Sequence, residues 1–217
     1  MAKVISLNVG LPRTVKFQGQ AVTTGIFKEP VKRRIKLRRL NLDGDKQADL
    51  TVHGGPDKAV YAYPAEHYDY WKKRLPNMKL PWGMFGENLT TEGLLEDQVN
   101  IGDIFRIGSS ELVATQPRMP CYKLGVKFGR MDIVRQFMES KLPGIYFRVL
   151  NEGEVGAGDT IEFISRDRNN VTVKDIVRLV TGEGNIATLR RAVRIESLAE
   201  GWRQQFLEQL AKQDEMK

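Results

Sequence analysis

One cysteine, Cys121, and two histidines, His53 and His67, are all that the 217-residue chain holds of the commonest soft-metal ligands. A single thiol closes no internal disulfide, so a disulfide-stapled secreted scaffold is excluded. So few such side chains also exclude a cysteine-rich structural zinc site and an iron–sulfur cluster held by several cysteines of this chain. Long apolar runs are missing as well. No stretch approaches the ~20 residues a membrane span requires, so no membrane role is expected. Residues 1–10 alternate like a strand and lack a signal-peptide core, which gives a cytoplasmic protein with a reduced thiol as the expectation. Nucleotide signatures are absent too. No Gly-x-x-x-x-Gly-Lys loop occurs, and Gly156-Ala157-Gly158 lacks the third glycine of a dinucleotide turn.

What is present is a chain with 41% hydrophobic and 28% charged residues, a composition that folds. Its length suits one domain with a small appendage. The net charge of +7 is concentrated: residues 28–40 hold Lys28, Lys32, Arg33, Arg34, Lys36, Arg38 and Arg39 against Glu29 alone. This run reads either as an edge strand protected by its charges or as an anion site for nucleic acid or a phosphorylated small molecule. It contains no aromatic residue on which single-stranded bases could stack, which favours the small anion.

Alternation and turn residues predict strands at 3–8, 31–38, 47–52, 99–106, 111–115, 145–150 and 159–164. Two helices interrupt them, from about Pro64 to Leu75 and from about Met131 to Leu142. Many short strands with glycine turns suggest a sandwich or barrel rather than βαβ units. After the polar run Arg166 to Asn170 the texture turns helical. Thr172 with Asp175, and Ser197 with Glu200, have capping-box spacing, and residues 171–217 read as three short helices. The expected organisation is a mainly β domain over 1–170 and a three-helix domain over 171–217.

Three patches carry candidate chemistry. Asp43 to Tyr61 runs into the turn His53-Gly54-Gly55, after which Asp57 and Lys58 follow; together they offer a proton shuttle, an acid and a cation, or else a self-capping hairpin. Phe85 to Leu94 contains Asn88, whose amide can recognise a heterocycle or stabilise a turn. Gln116 to Leu124 sets Cys121 between Pro117 and Pro120 on one side and Lys123 on the other, with Arg118 nearby. Cations favour the thiolate, the form that binds metals; a buried structural cysteine is the plainer reading.

Taken together, in order, the segments Thr24–Val31, Gly44–Tyr61, Tyr63–Tyr68 with Trp71, Phe85–Leu89, Gln116–Leu124 and Gly144–Leu150 resemble the MOSC-domain proteins of the YiiM-like branch. The C-terminal helices resemble the three-helix (3-alpha) domain that follows MOSC in that branch. The resemblance implies a β-barrel-like fold, of the pyruvate-kinase barrel type, that binds molybdenum cofactor (molybdopterin). It implies Cys121 as the thiolate ligand to molybdenum and Lys28 on the pterin phosphate. Thr24, Asn88, Arg118 and Lys123 are the further cofactor candidates. His53, Asp57 and Lys58 would line the metal side, with His53 as proton donor. The implied activity is reduction of N-hydroxylated bases or amidoximes, with electrons from a separate donor protein, because no flavin, haem or iron–sulfur motif is visible. The alternatives are a non-catalytic cofactor carrier or sulfur-transfer module, and a nucleic-acid-binding protein using residues 28–40. Pyridoxal phosphate on Lys58 is disfavoured, because no partner for its ring nitrogen can be named.

Overall fold

Residues 1–48 and 54–215 are described by the computed structural model of the chain. Alternation at the N-terminus becomes β1 (Lys3–Val9), which buries Val4 and Leu7. A hairpin follows, β2 (Arg13–Phe17) and β3 (Gln20–Thr24), turned by Gln18 and Gly19, both at positive φ. Then come β4 (Glu29–Val31), β5 (Ile35–Leu37), β6 (Val60–Pro64), β7 (Leu89–Glu92), β8 (Ile104–Ile107), β9 (Ser110–Pro117), β10 (Ile145–Asn151), β11 (Gly153–Val155) and β12 (Ile161–Ser165).

Eight strands form one sheet in the order β12-β8-β9-β10-β6-β7-β1-β4, antiparallel except for the β6–β7 pair. A crossover carrying helix α1 (Glu66–Arg74) joins those two parallel strands, as parallel pairing requires. The ladder stays open, but the sheet curls until its first strand meets the segment entering β12. Val4 N donates to Asp159 O at 2.9 Å and Ile161 N to Ala2 O at 2.8 Å. The expectation of a barrel-like, β-dominated fold with a helical C-terminus holds; among the described residues the ladder does not close on itself.

Two apolar clusters organise the interior. One fills the curl of the sheet with Leu7, Leu37, Ile101, Leu112 and Phe147 and continues into the C-terminal helices through Ile176, Leu189 and Phe206. The other is aromatic. Tyr68, Trp71 and Leu75, spaced i, i+3, i+7 to share one face, are buried against Tyr63, Phe85 and Phe137. Tyr63 stacks on Phe85 at 4.6 Å between centroids, and Trp71 lies nearly parallel to Phe137 at 6.0 Å. Phe137 comes from α3 (Asp132–Ser140), which follows the shorter α2 (Tyr122–Phe128).

The C-terminal helices are α4 (Val173–Val180), α5 (Ile186–Ala192) and α6 (Glu200–Glu215). No helix among the described residues is long and apolar enough to cross a membrane. The Thr172 capping box forms in full: Asp175 N donates to Thr172 Oγ1 at 3.0 Å and Thr172 N to Asp175 Oδ2 at 3.1 Å. Thr172→Ala is therefore expected to lower stability by ~1 kcal/mol in denaturant titration.

The second expected box does not start a helix. Arg203 reaches back to the carbonyls of Ile195 and Glu196, each at 2.8 Å, holding that segment as a turn, and α6 begins only at Glu200. The strand expected over 31–38 is two short strands in different sheets: β4 pairs with β1 and β5 with β11. Residues 99–103 form a turn rather than the start of β8, because Asp103 caps Asn100 N at 3.0 Å. Of the strand expected at 47–52, Gln47 and Ala48 are not extended, and the rest lies outside the described residues.

Candidate functional site

β9 ends at Pro117, and the chain runs through Arg118, Met119 and Pro120 before turning into α2. Two prolines and the absence of helix across this stretch hold Cys121 extended at the helix entrance, with φ −126° and ψ 173°. Two cavities meet there. The smaller, of about 90 Å³, is lined by Thr24, Lys28, Lys58, Asn88, Arg118, Cys121 and Lys123 among others. The larger, of about 580 Å³, is lined by Gly54 to Lys58, Gln116, Cys121, Tyr146 and the start of α6. Lys58, Met119, Cys121 and Tyr146 border both. The structure thus brings together all the sequence-derived site residues except His53, which lies outside the described residues.

Each candidate has a definite setting. Arg118 is buried, with its guanidinium 5.2 Å from the ring centroids of Tyr61 and Phe137. The aromatic cluster therefore serves as its platform. Its Nη1 has no hydrogen-bond partner, an unusual state for a buried charged group. Lys28 is also buried and ion-pairs with Asp45. Burial pushes its amine down, while the Asp45 carboxylate works the other way. Asp45 further accepts from Asn88 Nδ2 at 3.0 Å and Gly10 N at 2.9 Å. Asn88 Oδ1 takes the Tyr61 N–H at 3.1 Å, so this amide braces the wall of the small cavity. Thr24 Oγ1 accepts from Ile26 N at 3.2 Å. A Cβ on Gly25 would collide with the Lys46 carbonyl, so only glycine lets these two cavity-lining segments approach.

On the larger side, Pro56–Lys58 forms one 3₁₀ turn entered through Gly55 at φ 95°. Arg148 grips Asp57 Oδ1, with Nε at 2.7 Å and Nη2 closer still, so the carboxylate is committed to an ion pair. Thr115 Oγ1 donates to Asp57 O at 2.7 Å and fixes the turn to β9.

Three site residues escaped sequence reading. Tyr61 and Tyr146 pack 5.1 Å apart beside Arg118, and burial pushes both phenols up, against the pull of the arginine. Trp202, spaced at i+4 from Leu198 and Phe206 as a core residue would be, stands in the wall of the larger cavity. The sequence signal for the two tyrosines is their place in the Gly44–Tyr61 and Gly144–Leu150 segments.

Outside the cavity, two arginines of the basic run are ion-paired. Arg34 meets Asp159 at 2.8 Å, and Arg38 meets Asp43 at 3.0 Å and Glu152 at 3.8 Å. Nearby, Lys127 lies 5.2 Å from the Phe27 centroid, with Arg13 also over that ring. Burial lowers the Lys127 amine to about 8. Between that value and the ordinary 10.5, the folded chain has shed a proton that the unfolded chain keeps, so stability rises with pH across this window. The stability of wild type relative to Lys127→Met is expected to increase over the same window in thermal melts. A constant difference would show that burial of the charge costs nothing.

Two family models match the chain. Residues 49–162 match the MOSC domain, and residues 171–213 match the YiiM-like 3-alpha helix domain. The chain belongs to the MOSC-domain family, in its YiiM-like branch. The stretch matched to MOSC holds Cys121, and the stretch matched to the 3-alpha domain holds most of α6. The chain is 43% identical over 205 residues to the uncharacterized protein YflK of Bacillus subtilis, covering 94% of this chain and 92% of that one. The crystal structure of YiiM from Geobacillus stearothermophilus superposes with a TM-score of 0.81 at 32% identity, covering 97% of this chain and all of that one. A protein of Gibberella moniliformis named "Reductase" is 30% identical over 165 residues, covering 75% of this chain but only 29% of that longer protein.

Proposed function

We propose that this protein is a molybdenum-cofactor-dependent reductase of N-hydroxylated substrates, with Cys121 as the protein ligand to the metal. The observation that carries the reading is the position of the chain's single thiol at the junction of a cationic cleft and a larger cavity. The donor set suits an anionic pterin. Arg118 has a buried Nη1 still without a partner, and Lys28, Lys58 and Lys123 border the same cleft. Among the described residues no cluster of histidine, cysteine and carboxylate could hold a metal alone, so a metal here would bring most of its ligands with it. Once bound, the cofactor supplies a two-electron, oxygen-accepting centre able to cleave an N–O bond.

The chain's residues have separable tasks. Arg118 and Lys123 hold negative charge, and the aromatic cluster keeps Arg118 aimed. Tyr146 faces both cavities with its phenol kept protonated by burial, so its Oη holds a proton beside the thiol. Reduction of N–OH to N–H and water takes two electrons and two protons; the electrons come from a separate donor protein. A carrier or sulfur-transfer module would need the cleft but not the adjoining cavity of about 580 Å³, and this favours turnover. The relative named "Reductase" adds distant support.

The test is turnover of an amidoxime and an N-hydroxylated purine by full-length protein from a cofactor-competent host, with a reduced dye as electron source. Metal-loaded protein that reduces neither would leave the carrier reading in its place.

A further inference from the structure

The 3-alpha unit contributes a wall to the cavity beside Cys121, and one residue dominates it. The wall is built there by Ala199, just ahead of α6, and by Glu200, Gly201, Trp202 and Gln205 of α6. Ala199 and Gly201 offer almost no side chain, so the indole is the main apolar surface there. Phe206, one turn on, is fully buried, whereas Trp202 is only partly so. The two rings stack at 6.0 Å with 29° between planes. On the other side, Trp202 Nε1 donates to Gln116 Oε1 at 3.0 Å, and Gln116 Nε2 donates to Asp57 O at 3.3 Å. The indole is thus locked by a ring behind it and a hydrogen bond at its edge. A locked aromatic surface gives a ligand stacking without the entropy loss of ordering it. Across the cavity stand the polar groups of the Asp57–Lys58 turn and the thiol.

We infer that Trp202 is a substrate-recognition residue, and that the helical unit selects N-hydroxylated substrates whose body is a flat, heteroaromatic ring. The inference rests on the proposed reductase reading for the reaction, but ring recognition itself needs neither metal nor electrons.

Two measurements test it. Adenine, which has the flat ring and no N–O bond, is titrated calorimetrically into full-length wild type, Trp202→Leu and Trp202→Phe. Leucine keeps apolar bulk against Phe206 but lacks an aromatic face; phenylalanine restores the face. Trp202→Leu is expected to bind at least about fivefold more weakly, the lower end of base-on-aromatic stacking, and Trp202→Phe to recover most of the loss. In turnover, the ratio of kcat/KM for 6-hydroxylaminopurine to that for the ringless acetamidoxime should fall by a similar factor in Trp202→Leu, chiefly through KM. Equal adenine affinity in wild type and Trp202→Leu, no adenine binding by wild type, or an unchanged ratio would overturn the inference. Trp202-dependent adenine binding by a protein that reduces neither substrate would uphold it and sink the reductase reading instead.

Discussion

Replacing Cys121 with serine is expected to strip the protein of molybdenum while leaving the fold in place. Serine matches cysteine in size, and the residue is only partly buried at an extended helix entrance, so loss of the thiol costs little stability. Its consequence for a soft ligand position is different in kind. A hydroxyl does not replace a thiolate on a metal, and changes that merely disturb the partners of a ligand already cost about 10–100-fold in affinity or activity. The metal content of Cys121→Ser from a cofactor-competent host should therefore drop to background, and turnover should fall by more than about 100-fold. Circular dichroism and the melting temperature should stay near wild type. Full metal loading of this variant would remove Cys121 from the coordination sphere and with it the central element of the proposal. Pterin content measured in parallel separates loss of the metal–thiol bond from loss of the cofactor itself, because Arg118 and Lys123 remain in place.

The thiol was legible because its neighbours in sequence are also its neighbours in space: Arg118, Pro120 and Lys123 surround Cys121 within one loop and one helical turn. The aromatic face of α1 and the cap at Thr172 were legible for the same reason, since periodicity and capping are local. What stayed hidden depends on distant partners. Lys28 reads as a free anion-binding cation until Asp45, seventeen residues away, is seen against it. Asn88 reads as a ligand group until Asp45 and the Tyr61 backbone engage both ends of its amide. Asp57 reads as an acid until Arg148, from β10, holds it. Trp202 has the i+4 spacing of a core residue and does pack against the core, and only its hydrogen bond to Gln116 of β9 sets its edge at the cavity. The basic run misled in part because its arginines find carboxylates from the 150s, which no local pattern reveals.

Removal of the Glu87 carboxylate is expected to produce the largest loss of stability of any single polar change near the site. This side chain is fully buried and is the acceptor on which the Gly83–Thr90 loop closes. Its Oε1 accepts from Gly83 N at 2.8 Å, from Thr90 Oγ1 at 2.9 Å and from the Tyr68 hydroxyl, and Oε2 accepts from Phe85 N at 3.0 Å. Glu87→Ala removes the acceptor of four donors, leaving the Tyr68 hydroxyl only a long contact to Pro81 O at 3.4 Å, and opens a void, for a loss of about 3 kcal/mol or more in denaturant titration. Glu87→Gln keeps the volume but turns an NH₂ toward one of those donors, and about 1–3 kcal/mol is expected. Burial pushes the Glu87 carboxyl above its ordinary 4.5, with the surrounding donors opposing. A raised carboxyl contributes its stability below the unfolded value and loses it as pH rises through the folded one, because the unfolded chain then ionises more readily than the folded chain. The advantage of wild type over Glu87→Gln, which has no proton to lose, should accordingly narrow over the interval that begins at the ordinary 4.5 and runs upward. A gap that widened over that interval would mean that the four donors outweigh burial and that the carboxylate is held ionised. In either case the loop it anchors carries Asn88 to Asp45 and packs Phe85 beneath Tyr63, so an unfolded loop in Glu87→Ala would also release the floor on which Arg118 rests.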